Sequence, residues 1–360
     1  MTIMTEMEKP SLFGIKHSNR DFADKYSWGK NQFNSSFPAA LSVYLAHKNL
    51  ENVYIKLNEN LETYHDRIST ENLYGLPPAS ESLFYSFESH FFPYEKFLIG
   101  NIPRVDLVTQ NLTDNSILKN LEIKLTALPD NSTFHLAEEK YGCEIVVRPD
   151  TIVYLACSLF AHLENRRAEL QSIIGENFEQ ISDWTEAGAI IPYLGDMIRV
   201  IDEISLKILD LQSPLVMQPI WKTQGKTPKL AGNCLDVFVW SDLAFVRLFA
   251  KVAKAEMREN KITRGLRTLI WLFKMFYDFS RDGQVNHART IDALSYNTKN
   301  DKAFALSGRV TRPFMQGEIL RHPRITKREI KNIIIGGGQN LLSPERRFDA
   351  IIFNSPDLFD

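Results

Sequence analysis

Pro103-Arg104-Val105-Asp106-Leu107-Val108 and Asn120-Leu121-Glu122-Ile123-Lys124-Leu125 are the two runs on which the reading of this chain turns. Each is short and alternates apolar with polar residues, and the polar stretch Thr113-Asp114-Asn115-Ser116 lies between them. That is the pattern of two strands joined by a turn. Side chains two apart on a strand share a face. Glu122 and Lys124 therefore point one way, and Leu121, Ile123 and Leu125 the other. If the runs pair as a hairpin, Asp106 sits beside Glu122. Two carboxylates and an ammonium on one edge of a sheet, backed by an apolar face, suit a divalent metal and an attacking water. A solvated amphipathic strand carries the same three residues, so the rest of the chain must discriminate.

The length of 360 residues allows one large domain or two closely packed ones. Three cysteines without C-x-x-C spacing (Cys143, Cys157 and Cys234) argue against a disulfide framework or a zinc site and fit a reducing cytoplasm. Met1 to Pro10 holds no apolar run, so no signal peptide is expected. No apolar stretch reaches membrane-spanning length. The small net charge hides an asymmetry. Residues 1–250 carry 22 Lys+Arg against 32 Asp+Glu, a net of −10; residues 251–331 carry 18 against 8, a net of +10; the last 29 residues carry the remaining −2. A basic block of this kind is an electrostatic footprint for a polyanion. Amphipathic helices with Lys and Arg on their wet faces are the plainer reading, but they leave the missing acidic partners unexplained.

Outward from the hairpin, the pattern predicts a helix over 37–50, a strand over 52–57 and, after Pro77-Pro78, a helix over 81–92 capped by Ser80. Glu81 and Glu88 would lie on one side of that helix, and either could turn towards Asp106 as a further carboxylate. Downstream come a strand over 143–148, a helix over 151–173 with Asp150 or Thr151 as N-cap, and a helix over 194–212. An extended, proline-rich crossing segment over 214–232 leads to a strand over 235–240 and helices over 242–259 and 263–280. Residues 11–36 mix Asn, Gln, Arg, Lys and aromatics with little period. They suit an arm laid along a nucleic-acid backbone through Arg20, Lys25, Lys30 and Asn31, and equally an arm packed on the core through Phe22, Tyr26 and Trp28. Asn297, Lys299, Asn300, Lys302, Arg309 and Arg312 have the donor chemistry that reads base edges. Gly336-Gly337-Gly338 matches neither G-x-G-x-x-G nor a Walker loop, and no G-x-S-x-G or H-E-x-x-H occurs.

The spacing P-x-x-D…E-x-K over Pro103, Asp106, Glu122 and Lys124 resembles the active core of PD-(D/E)XK endonucleases. Pro103 stands three positions before the Asp instead of next to it. The run Asn19-Arg20-Asp21-Phe22…Asp24-Lys25-Tyr26-Ser27-Trp28-Gly29-Lys30-Asn31-Gln32-Phe33-Asn34 is similar to the N-terminal signature of HindVP-like type II restriction endonucleases, and the resemblance extends over nearly the whole chain.

The resemblance implies a mixed α/β (α+β) fold: a nuclease-like central mixed sheet flanked by helices, with helical and loop elaborations for DNA recognition. It implies a single restriction-endonuclease domain over 1–360, with a catalytic core at about 78–175 and a basic recognition region at about 251–331. It also implies a cytoplasmic bacterial homodimer that uses Mg²⁺ to cut double-stranded DNA within GRCGYC. A cognate methyltransferase would belong to the same restriction-modification system without forming a stable complex, and no membrane is involved. Mg²⁺ prefers oxygen ligands. Asp106, Glu122 and the backbone carbonyl of Ile123 would supply them, Glu81 or Glu88 would add a further one, and Lys124 would orient the water. The competing readings are a metal-dependent nuclease with a repair or other defence role and a non-catalytic DNA-binding protein.

Overall fold

The computed structural model describes residues 15–20, 30–124, 145–220, 233–257, 261–296, 298, 304–306 and 325–326. In chain order the elements are β1 (His17–Ser18), α1 (Lys30–His47), β2 (Asn52–Leu57), β3 (Thr63–Ile68), α2 (Thr70–Tyr74), β4 (Leu83–Ser89), β5 (Val105–Asn111), β6 (Ile117–Ile123) and β7 (Ile145–Val147). They continue with α3 (Pro149–Leu163), α4 (Arg167–Ile174), α5 (Ala187–Ile190), α6 (Leu194–Lys207), β8 (Pro214–Ile220), β9 (Asn233–Ser241), α7 (Asp242–Glu256), α8 (Arg264–Asp282), α9 (His287–Ala293), β10 (Phe304–Leu306) and β11 (Ile325–Thr326). No helix among the described residues is long and apolar enough to cross a membrane.

A mixed sheet runs in the order β1-β4-β5-β6-β8-β9-β2-β3, with β11 also paired to β9. The pairs β1/β4, β6/β8 and β2/β9 are parallel and the other neighbours along that path antiparallel. Helices cover both faces. Val216, Phe238, Trp240, Val53 and Ile55 join one large core with α3, α6, α7 and α8. Leu107, Leu121, Met217, Val237 and Val239 are equally buried but stand outside that core, on the side of α1 and α2. Strand β9 is thus buried on both faces over Val237–Trp240. That is why it reads as an unbroken apolar run and not as an alternation.

The hairpin forms as expected, with Leu107 opposite Leu121 and Val108 opposite Asn120. Three expectations need correction. Residues 81–92 are not a helix: Leu83–Ser89 is the strand β4, between β1 and β5. Leu83, Tyr85 and Phe87 are buried at a period of two, and the aromatic, sheet-favouring Tyr85 and Phe87 help to override the capping signal. The Ser80 hydroxyl accepts from Ser82 N–H in a turn instead. The long helix begins at Pro149, with Arg148 as N-cap, and breaks at a 3₁₀ turn over Glu164–Arg166. Proline suits the first helical position because its missing N–H has no partner to lose there. Residues 214–220 are not merely a crossing segment but a strand inside the sheet, between β6 and β9. Pro214 is the first residue of β8, and Pro219 lies beyond its last described partner on β6, Ile123 opposite Met217.

Gly75 closes α2 at φ +88, and its N–H bonds Glu71 C=O. A Cβ there would stand 2.9 Å from Leu118 Cβ on β6. Gly75→Ala is therefore expected to lower the unfolding free energy by about 1–3 kcal/mol, from left-handed strain and overpacking. Urea denaturation reads this as a lower midpoint, and an unchanged midpoint would refute it.

Candidate active site

Strands β4, β5 and β6 carry three acids into one transverse line. Leu107 is opposite Leu121, so the next step along the ladder sets Asp106 against Glu122. On the other side, Phe87 opposite Leu107 and Ser89 opposite Val105 bracket Glu88 against Asp106. Glu88 has φ +52 within its strand. A non-glycine residue held there costs about 1–3 kcal/mol, and such strain gathers where the surroundings over-determine a functional site.

Each of the two central carboxylates is held by one oxygen. Asp106 Oδ2 accepts from Ile123 N–H at 2.7 Å. Glu122 Oε1 accepts from Lys124 Nζ and from Thr151 Oγ1, the latter at 2.9 Å. Among the described residues no hydrogen bond reaches Asp106 Oδ1 or Glu122 Oε2. Lys124 N–H goes to Met217 C=O on β8, which leaves Ile123 facing Asp106 and not β8. In an extended residue the C=O leaves the strand on the same side as the N–H, so the Ile123 carbonyl also faces the Asp106 side.

Charge repulsion marks the line. Burial first, and then Glu122, push the Asp106 carboxyl up to about 8, against Lys124 and the Ile123 N–H. Burial raises Glu88 as well, opposed by Arg20 and reinforced by Glu122. Asp150, in the first turn of α3, is raised by burial and then by Glu122, with His287 and Arg148 opposing. Like charges crowded in a poorly solvated floor favour a proton or a cation between them.

The donor set fits a hard divalent cation. Two carboxylate oxygens and a main-chain carbonyl are magnesium-type ligands. Among the described residues no three His, Cys, Asp or Glu side chains gather in metal-holding geometry, and the main chain, water and substrate are further sources of oxygen donors.

A model of the HindVP restriction endonuclease matches residues 28–359. The chain belongs to the HindVP restriction endonuclease family. It is 44% identical over 360 residues to the type II restriction enzyme HgiDI of Herpetosiphon aurantiacus, covering 99% of this chain and 98% of that one. It is also 44% identical over 351 residues to the probable type II restriction enzyme HindVP of Haemophilus influenzae (strain ATCC 51907 / DSM 11121 / KW20 / Rd), covering 98% and 95% respectively. No solved structure matches it. Membership makes this chain a restriction endonuclease.

Within this member of the HindVP family, the structure separates the two acids left open by the sequence. Glu81 is exposed, precedes β4 and pairs with Lys16 and His17, away from the carboxylate line. Glu88 lies in it. Arg20 is drawn into the same place and off the open surface. Its guanidinium is 3.7 Å from Glu88 and 4.4 Å from the centre of the Phe87 ring, with Ser35 and Ser36 as further partners. Burial lowers it to about 10, against Glu88 and Asp106. Lys30 and Asn31 open α1. Lys25, Asn297, Lys299, Asn300, Lys302, Arg309 and Arg312 lie outside the described residues. The basic block finds some of its acids across the fold or along its own helix: Arg281 pairs with Glu179 at 2.6 Å and Lys274 with Asp278. Thr151 entered the sequence reading only as an alternative cap. Its link to Glu122 spans 29 positions and has no local signal.

Folding raises the proton affinity of Asp106 from an ordinary value of 3.8 to about 8. The stability of the metal-free protein therefore has its full Asp106 contribution below pH 3.8 and loses it as pH rises through about 8. Asp106→Asn keeps an acceptor for Ile123 N–H and removes the charge. In chelator-containing buffer, the variant's urea midpoint should exceed that of wild type by a margin that grows between pH 5 and pH 9. A constant margin would contradict the coupling.

Proposed function

We propose that the protein is a Mg²⁺-dependent type II endonuclease that hydrolyses phosphodiester bonds of double-stranded DNA within GRCGYC, as the restriction component of a restriction-modification system. The observation that carries this is the pair of carboxylates, each tied by one oxygen with the other left over: Asp106 Oδ1 and Glu122 Oε2. A bound Mg²⁺ would supply charge to offset the developing negative charge on the phosphate and would favour ionisation of water.

The protein's own groups do the rest. Asp106, Glu122 and the Ile123 carbonyl hold the cation. Lys124 shares a strand face with Glu122 and brings the nearest side-chain positive charge, which would orient the attacking water or meet a phosphate oxygen. Glu88 stands one strand further out, held by Arg20. The domain is read as one unit over 1–360, with a core at about 78–175. Its recognition region at about 251–331 includes Asn297, Lys299, Asn300, Lys302, Arg309 and Arg312, and Lys25, Lys30 and Asn31 serve as backbone contacts, while Arg20 is engaged by Glu88 and not by phosphate. A palindromic target calls for a two-fold dimer in which each subunit reads one half-site. The methyltransferase would act on the same sequence as a separate protein.

The test is digestion of plasmid DNA with Mg²⁺, with fragment ends sequenced, for wild type and for Asp106→Ala, Glu122→Ala and Lys124→Ala. Wild type should give discrete fragments whose sequenced ends all fall within GRCGYC sites. Each variant should lose at least about a thousandfold in rate, roughly 4 kcal/mol of barrier, while remaining folded and able to bind DNA. A smear of fragments would favour a repair or other defence nuclease. No Mg²⁺-dependent cutting by wild type would favour a DNA-binding protein, and wild-type rates from Lys124→Ala would remove this site. Sedimentation on cognate duplex should show a dimer, and a monomer there would refute the half-site geometry.

A further inference from the structure

We propose that Thr151 is a positioning residue for the catalytic carboxylate: its hydroxyl fixes Glu122 through Oε1 and keeps Oε2 turned to the cation. The proposal rests on the reading of Asp106 and Glu122 as the cation site, and it adds a residue from outside the hairpin.

Thr151 has no solvent exposure. A buried hydroxyl needs a hydrogen-bond partner. Two buried helical hydroxyls elsewhere bond back to the carbonyl four residues earlier, Ser205 to Ile201 at 2.8 Å and Thr268 to Arg264 at 2.9 Å, whereas Ser158, also in α3, donates to Asp242 Oδ2 at 2.9 Å. Thr151 is the third residue of α3, so there is no earlier helical turn for it to bond. Its hydroxyl instead leaves the helix and donates to Glu122 Oε1 at 2.9 Å. The branched Cβ restricts its χ1, and its neighbours Ile152 to Phe160 are buried in the core. The donor is therefore held by the packing of a whole helix.

Lys124 shares the same Oε1 but cannot serve this purpose. It sits on the same strand as Glu122, ends a flexible chain and is needed for the water or the phosphate. When its ammonium leaves Oε1, Thr151 is the remaining hold on Glu122 among the described residues. Groups that orient a ligating side chain in this way typically change metal affinity or activity by about 10–100-fold when removed.

The experiment compares full-length wild type, Thr151→Val, Thr151→Ser, Asp106→Ala and Glu122→Gln. Titration of MgCl₂ without DNA is followed by the rise in melting temperature, and plasmid cleavage is measured across Mg²⁺ and DNA concentrations. Valine keeps the shape and removes the donor. Thr151→Val should raise the half-saturating Mg²⁺ concentration about 10–100-fold, with KM for DNA unchanged. Thr151→Ser should restore the wild-type value. An unaltered half-saturation in Thr151→Val overturns the proposal, and so does a loss that serine fails to rescue or that follows the metal-free melting temperature. If Thr151→Val does not fold, Thr151→Ala against Thr151→Ser makes the same comparison. The underlying reading fails separately, if Asp106→Ala or Glu122→Gln binds Mg²⁺ as wild type does.

Discussion

Crowding carboxylates into a poorly solvated sheet floor is unfavourable, and much of this structure can be understood as the means of holding them there. Two ionised acids a few ångströms apart repel strongly wherever water is scarce. Asp106 shows the strain in its raised proton affinity. The compensations come from four directions: the Ile123 main chain, the Lys124 ammonium, the Thr151 hydroxyl and, for the outer acid, the Arg20 guanidinium. Each satisfies one oxygen or opposes one charge, and together they leave Asp106 Oδ1 and Glu122 Oε2 without a hydrogen bond among the described residues.

The sheet supplies the rigidity that such an arrangement needs. Strand β8 lies parallel to β6 and receives Lys124 N–H, so the end of β6 is paired where a free edge would fray. The same transverse line continues from Glu122 to Val216, Trp240 and Ile55. One end of the line is therefore acidic and the other is fully buried hydrocarbon. A one-residue register slip would carry Trp240 out of its core as well as misplace the acids. Packing and chemistry thus enforce the same register.

The basic block also changes meaning in three dimensions. Its surplus in sequence arises partly because its acids lie elsewhere: Glu179 meets Arg281 from a hundred residues away. Net charge along a chain measures the long-range field and says little about which cations remain available to a phosphate. Arg20 illustrates the same point, since a residue with phosphate-binding chemistry is held beside Glu88 and under the Phe87 ring.

By itself the sequence determined the hairpin and the strand face that Glu122 and Lys124 share, because period-two alternation and a polar turn are local signals. It also carried the family, through runs of identity that need no geometry. It was silent or misleading where distance in the chain and proximity in space part company. Strand β4 looked helical because a capping serine precedes it, and only its place between β1 and β5 made alternation win. Strand β8 looked like a linker because prolines discourage strands, and its parallel partner lies some ninety residues earlier. Tertiary structure alone put Glu88, and not Glu81, beside Asp106, since that depends on which strand is neighbour to β5. It alone brought Thr151 to Glu122, because a helix N-terminus and a strand end 29 positions apart meet only through the packing of α3 on the sheet.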